Sequence, residues 1–335
     1  MSDLALAQVI DGLCRRDPEF AETLASQRLA LTAWEQEGVL APGDLAGRRV
    51  LDWECGKGVF SAIFLEAGAA EVVGIDQRLD PAWFAAGLGG LPAVQFLRTP
   101  FEEWARKRPA GTLDLIFGNT ASEHALDLAA VLTHCDRLLA PGGLLVLNHD
   151  NYYHPAGSHD YGFLGYHGRG IAFLGPRCWD RREKCAASQD FRRELAERYP
   201  WTWDERTESR RDPRDCSRCP YYRRAQPWAH LLYREEFREV FPQPCFTTGY
   251  PGSSLNKVTP FLLRQYLVEA GFEIARWVPH RLDNRPPRAL LEPPFGLSAD
   301  DLVTATIAIR ARKAAEPAYW DLPPFPGRDL GEWEE

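Results

Sequence analysis

Between residues 148 and 162 the chain reads Asn-His-Asp-Asn-Tyr-Tyr-His-Pro-Ala-Gly-Ser-His-Asp-Tyr-Gly. His149, His154 and His159 share this run with Asp150, Asp160 and tyrosines. Imidazole titrates near neutrality, so a histidine oriented by a carboxylate can take a proton from a hydroxyl as that oxygen reacts. His159, with Asp160 beside it, is the first choice for such a base; His154 and His149 follow. Two other readings stay open: His149, His154, His159 and Asp160 ligating a divalent ion, or ordinary polar residues. A second grouping is Cys178, Cys185, Cys216 and Cys219, the last two in a C-x-x-C turn. Four thiolates suit tetrahedral Zn²⁺, and a segment with a small core gains from such a staple; free thiols are the alternative.

These side chains need a frame. The stretch Arg49 to Gln77 supplies it: RVLDWECGKGVFSAIFLEAGAAEVVGIDQ. A short apolar run ends at Asp52, a turn holds Gly56 and Gly58, an apolar helical run spans Val59 to Ala67, and a second apolar run ends at Asp76. That order is strand, tight turn, helix, strand. A carboxylate ending the second strand suits the two hydroxyls of a ribose, and small residues in the first turn let backbone approach a ligand.

Val50-Leu51-Asp52-Trp53-Glu54-Cys55-Gly56-Lys57-Gly58 resembles the first motif of the class I S-adenosylmethionine (SAM) dependent methyltransferases. The dinucleotide pattern G-x-G-x-x-G fits less well, because its third glycine is missing. The resemblance implies a SAM site built from Asp52, Glu54, Cys55, Gly56, Gly58, Asp76 and Gln77. It adds Thr99 and Phe101 on the adenine side and Asn119 facing the methionine part. Glu54 stands where the family has its first glycine, so its carboxylate either blocks the methionine part or receives the ammonium. The second reading is adopted here.

Later segments follow the same order. Ala93–Leu97 reads as strand three, Leu113–Asn119 as strand four and Leu126–Leu139 as a helix. Ala140-Pro141-Gly142-Gly143 reads as a turn and Leu144–Leu147 as strand five. His124, just after strand four, reads more readily as a structural helix-start residue than as a catalyst. Thr259 and Pro260 mark a helix start, Gly271 its end, Phe272–Val278 a strand and Leu302–Arg310 a final antiparallel strand. The expected fold is α/β: a doubly wound, seven-stranded, mostly parallel sheet with N-terminal helices and a large inserted cap after strand five. The expected divisions are a helical lid over 1–44, a core over 45–150 and 258–313, a cap over 151–257 and an extended Pro-rich tail over 314–335. Cap aromatics such as Trp201, Trp203 and Trp228 are candidates for a substrate pocket or for the cap's own core.

Composition narrows the partners. The chain has 335 residues, 45% of them hydrophobic, enough for a large core, and a net charge of -8. That charge makes nucleic acid an unlikely partner, and the arginines from Arg206 to Arg224 are interleaved with acids, as on a solvated surface. No apolar run is long enough for a membrane span, and the first residues show no signal layout. Eight cysteines without a signal point to reduced thiols or metal ligands in the cytoplasm. The expectation is O-methylation of a small aromatic or bulky metabolite by SAM with a histidine base, in a monomer or homodimer. The rivals are a protein or RNA methyltransferase, a non-catalytic SAM-fold scaffold, and metal-assisted chemistry at the histidines.

Overall fold

The computed structural model describes residues 3–155, 157, 203–204, 209–210, 228, 231, 255–293 and 295–314. Two helices lead, α1 (Asp3–Arg16) and α2 (Pro18–Gln36). Then come β1 (Arg49–Trp53), α3 (Val59–Glu66), β2 (Glu71–Ile75), α4 (Pro81–Ala85), β3 (Val94–Leu97) and α5 (Phe101–Arg106). β4 (Leu113–Asn119), α6 (Leu128–Leu138) and β5 (Leu139–Asp150) follow. Two short strands, β6 (Trp203–Asp204) and β7 (Ser209–Arg210), pair antiparallel. The chain then gives α7 (Pro260–Glu269), β8 (Phe272–Arg281), α8 (Arg288–Leu291), α9 (Ala299–Val303) and β9 (Thr304–Lys313).

Seven strands form one sheet in the order β3-β2-β1-β4-β5-β9-β8. The first five pair parallel; β9 runs antiparallel to both β5 and β8. The doubly wound, mostly parallel sheet expected from the sequence is therefore present. Its central strands are largely apolar on both sides because both faces are covered, with Asp52 of β1 and Asp114 of β4 as exceptions. Side chains alternate between two cores, as the two-residue strand repeat demands. Val50, Leu115, Phe117 and Val146 pack with Phe20, Leu24 and Trp34 of α2 and Phe64 of α3. Leu51, Ile116, Leu145 and Ile309 pack on the other face with α6 and α7, through Leu132, Leu138, Leu263 and Leu267.

Three boundaries differ from the sequence reading. The Ala140–Gly143 turn lies inside β5, which passes it with an irregular register between Leu113 and Leu115 of β4. β5 also runs on to Asp150, paired through Asn148, His149 and Asp150 to β9. His149 is thus a strand residue and not part of a loop. At the other end, Leu302 and Val303 close the short helix α9, and β9 starts at Thr304. Ser298 caps that helix by accepting from the Asp301 N–H, which holds the turn against the strand propensity of Leu-Val. The helix start at Thr259 and Pro260 forms as expected, with Thr259 Oγ1 accepting from Leu262 N at 3.2 Å.

The N-terminal helices rest on the sheet through an aromatic cluster. Phe117 is fully buried, with ring centroids 4.5 Å from Phe60, 5.0 Å from Phe64 and 5.8 Å from Trp34. Phe117→Ala should cost about 3–5 kcal/mol of stability in urea unfolding. A loss below about 1 kcal/mol would mean that the helices hold to the sheet by other contacts.

Candidate functional site

The turn after β1 concentrates left-handed backbone within five residues. Glu54, Gly56 and Gly58 all have positive φ, at 56°, 54° and 77°. Only glycine takes that region freely, so Glu54 carries strain, of a kind that collects at functional sites. Gly58 caps α3 from the left-handed region, and a Cβ there would lie 2.8 Å from the Phe84 ring. The turn is held from the neighbouring strand. Cys55 N–H donates to the Ile75 carbonyl at 3.1 Å. Gly56 N–H donates to Asp76 Oδ2 at 3.0 Å, and Arg78 N–H donates to Asp76 Oδ1 at 2.7 Å. One carboxylate therefore fixes the turns at the ends of both β1 and β2.

A cavity of about 340 Å³ opens at these strand ends. Glu54, Asp76, Gln77, Thr99 and Phe101, all expected from the sequence, line it. They come together from β1, β2 and β3, where an open α/β sheet places its ligands. Trp53, Arg78, Glu102 and His124 also line it. Phe101 serves core and cavity at once: it is 3% exposed and its ring lies 5.0 Å from that of Trp53.

Other expected site residues stand behind the wall. Gly56 and Gly58 shape the turn, and Cys55 is buried, its thiol pushed far above the usual range by desolvation. Asn119 accepts from Asn148 Nδ2 at 3.0 Å. Asp52 is 2% exposed and accepts from Ser61 Oγ at 2.6 Å. Burial is the largest influence on its carboxyl; Asp76 adds to it and Ser61 opposes it, leaving the group near pH 7. Lys57 turns away from the cavity to pair with Asp17 and Glu19, and its carbonyl accepts from Trp83 Nε1. The motif's lysine thus ties the turn to the N-terminus of α2.

On the far side, the loop after β4 is clamped by residues that no local pattern singles out. Thr120 has φ 51° and donates its N–H to Asn148 O. Ser122, Glu123 and His124 form one tight turn. Asn256 donates its Nδ2 to the carbonyls of Ser122, at 2.7 Å, and Ala125, at 2.8 Å, while its N–H donates to Glu123 O. His149 is fully buried, with Nδ1 2.8 Å from Ser122 Oγ, which makes it a support for this turn. Asn151 plays the matching part after β5, donating to the carbonyls of Asp301 and Thr304. Buried asparagines therefore anchor both ends of the long excursion between β5 and α7. His154 is also buried and does not line the cavity.

Trp228 joins a small cluster with Leu231, Leu290 and Leu302, and its Nε1 donates to Tyr153 O at 3.0 Å. It builds a local core and not the cavity. His159, Asp160, Cys178, Cys185, Cys216 and Cys219 lie outside the described residues, as does most of the cap. Among the described residues, no group of His, Cys, Asp and Glu could hold a metal ion. Among them, too, no helix is long and apolar enough to cross a membrane.

Comparison with known proteins fits this geometry. A family profile described as a methyltransferase domain matches residues 26–241, more than half of the chain, and runs on into the excursion after β5. The chain belongs to this family, the class I SAM-dependent methyltransferases. A ubiquinone biosynthesis O-methyltransferase of Bordetella pertussis is 37% identical over 130 residues, 38% of this chain and 51% of that protein. The enzyme of the same name from Neisseria meningitidis is 30% identical over 138 residues, 35% of this chain and 58% of its own. The matched region spans only about half the length of these relatives. A solved SAM-dependent methyltransferase from Mesorhizobium loti overlaps 84% of this chain and 95% of its own at TM-score 0.42 and 18% identity. That overlap is too low to add to the strand order.

Asp52 yields a prediction about stability. An unfolded aspartate loses its proton near pH 4, while the folded one keeps it to about pH 7. The folded state binds more protons across that window, so stability should fall as pH rises through it and level off above it. The full effect is on the order of 4 kcal/mol. Asp52→Asn keeps an acceptor for Ser61 and should make this slope shallower in unfolding experiments between about pH 4 and 7, leaving the share of other buried carboxyls such as Glu123. An unchanged slope would show that Asp52 is not the titrating group.

Proposed function

We propose that this protein methylates a hydroxyl oxygen of a small, aromatic or bulky molecule, with SAM as donor. The observation that carries the cofactor half is Asp76. The residue is 9% exposed, and its carboxylate spends one lone pair on each of two backbone N–H groups while the residue still lines the cavity. An ionised carboxylate has about four acceptor positions, so two remain for a pair of ribose hydroxyls. Glu54 would meet the ammonium of the methionine part, and Thr99 and Phe101 the adenine side. When bound, SAM supplies an electrophilic methyl group on a positively charged sulfur.

The rest is the work of the chain itself. The strained turn and the clamped loop after β4 hold their groups in place before any ligand arrives, so orientation is set in advance. A hydroxyl acceptor must lose a proton, and histidine suits that task near neutrality. His124 lines the cavity and His159 follows β5, so these two are the candidates for the base. Oxygen is favoured as acceptor atom because the curated relatives are named O-methyltransferases. The excursion after β5 is the natural place for acceptor selection, and its four cysteines for a zinc staple.

The test is transfer from methyl-labelled SAM to a panel of phenols, catechols, carboxylic acids and amines, with the site of labelling read by mass spectrometry. Label should appear on oxygen of a small acceptor. His124→Asn or His159→Asn, whichever removes the base, should lower kcat by roughly 10²–10⁴-fold and erase the acidic limb of its pH profile. Label found on nitrogen, on carbon, or only on macromolecules would overturn the reading.

A further inference from the structure

Beside the cavity stands a carboxylate that the reaction described so far leaves unused. Glu123 is 1% exposed, and neither of its carboxylate oxygens has a hydrogen-bond partner. Its backbone cannot swing it out to water, because Asn256 clamps the carbonyls of Ser122, Glu123 and Ala125. Among the described residues, the groups around it come from three elements. Asp150, at the end of β5, and Glu54, in the turn after β1, both act on it as like charges. His124, its own neighbour, places Nε2 at 3.9 Å from Glu123 Oε1, and His149 of β5 is bonded to Ser122. Two of these neighbours, Glu54 and His124, line the cavity.

The backbone N–H groups of Glu123 and Asp150 favour its charged form, but a buried carboxylate with no side-chain donor at bonding distance holds a negative charge poorly beside two others. Burial first, and then Asp150 and Glu54, drive it toward the protonated form. The arrival of a positive charge in the cavity would reverse that balance. SAM carries one positive charge more than its demethylated thioether product, and the two otherwise differ by a methyl group. A methyl alone gives only modest discrimination. A site that must take the donor and release the product gains most by reading the charge.

We propose that Glu123 is the charge-sensing residue of the cofactor site: it holds a proton while the cavity is empty or filled by the neutral thioether, and yields it to solvent when a sulfonium enters. The inference rests on the SAM reading above. Its consequence is a site that favours donor over product, with an affinity for SAM that rises with pH while that for S-adenosylhomocysteine stays level. The sign follows from linkage, since a ligand whose binding expels a proton binds better where protons are scarce.

The experiment is calorimetric titration of the full chain with each ligand at about pH 6.5, where an α-amino group keeps its own proton. Two buffers of different ionisation enthalpy report the protons exchanged. SAM should release a measurable fraction of a proton and S-adenosylhomocysteine none. Glu123→Gln should abolish the release and narrow the affinity ratio between the two ligands by roughly tenfold. Asp150→Asn, which removes one like charge, should shift the release to lower pH. If the wild type binds both ligands without proton exchange from about pH 5 to 7, the charge-sensing role is wrong and the SAM site stands. If it binds neither, the SAM reading falls, and this inference falls with it.

Discussion

The candidate site depends on one carboxylate shared between two turns. Asp76 accepts from Gly56 N–H and Arg78 N–H, so the ends of β1 and β2 cannot move independently. Without that bridge, the left-handed run through Glu54, Gly56 and Gly58 would have little to offset its strain. The sheet makes the bridge possible. Parallel pairing of Trp53 with Ile75 brings the two strands to the same level, and the turn begins one residue later. Lys57 then carries the constraint outward to Asp17 and Glu19 at the start of α2.

A second rigid unit faces the first across the cavity. It is built from buried amides and imidazole: Asn256 under the turn after β4, His149 against Ser122, and Asn151 against α9 and β9. The two asparagine amides meet backbone carbonyls and one nitrogen of His149 meets the Ser122 hydroxyl, which is how polar side chains are kept in a core. The placement explains how a long excursion can leave and rejoin the sheet without disturbing it. Both exits are pinned by an asparagine whose amide bonds backbone carbonyls of another element. Glu123, in the clamped turn itself, carries a buried carboxylate that takes no part in this side-chain bonding.

Much of the frame was legible in the sequence because it rests on local signals. The apolar runs, the glycines of the first turn, Asp76 at a strand end, and the Thr259-Pro260 cap each declare themselves within a few residues. The length of β5 was not legible, since Ala-Pro-Gly-Gly is a turn signal that pairing with β4 and β9 overrides. Nor was the depth of His149. A strand that alternates between two buried faces can hide an imidazole that composition would place in a loop. Asn256, Asn151 and Glu123 escaped notice because their meaning lies in partners, or the lack of them, more than a hundred residues away or across the sheet. His124 was weighed as a structural residue, and only the packing of β4 against β1 puts it on the cavity wall.

The measurement that bears most directly on this account is equilibrium binding of S-adenosylhomocysteine to wild type and to Asp76→Ala, with circular dichroism to confirm that both are folded. The wild type should bind, and the variant should lose affinity by about tenfold or more, because the ribose partner and the clamp on Gly56 go together. Equal affinity in the two proteins, or no binding to the folded wild type, would contradict the claim that Asp76 organises a SAM site.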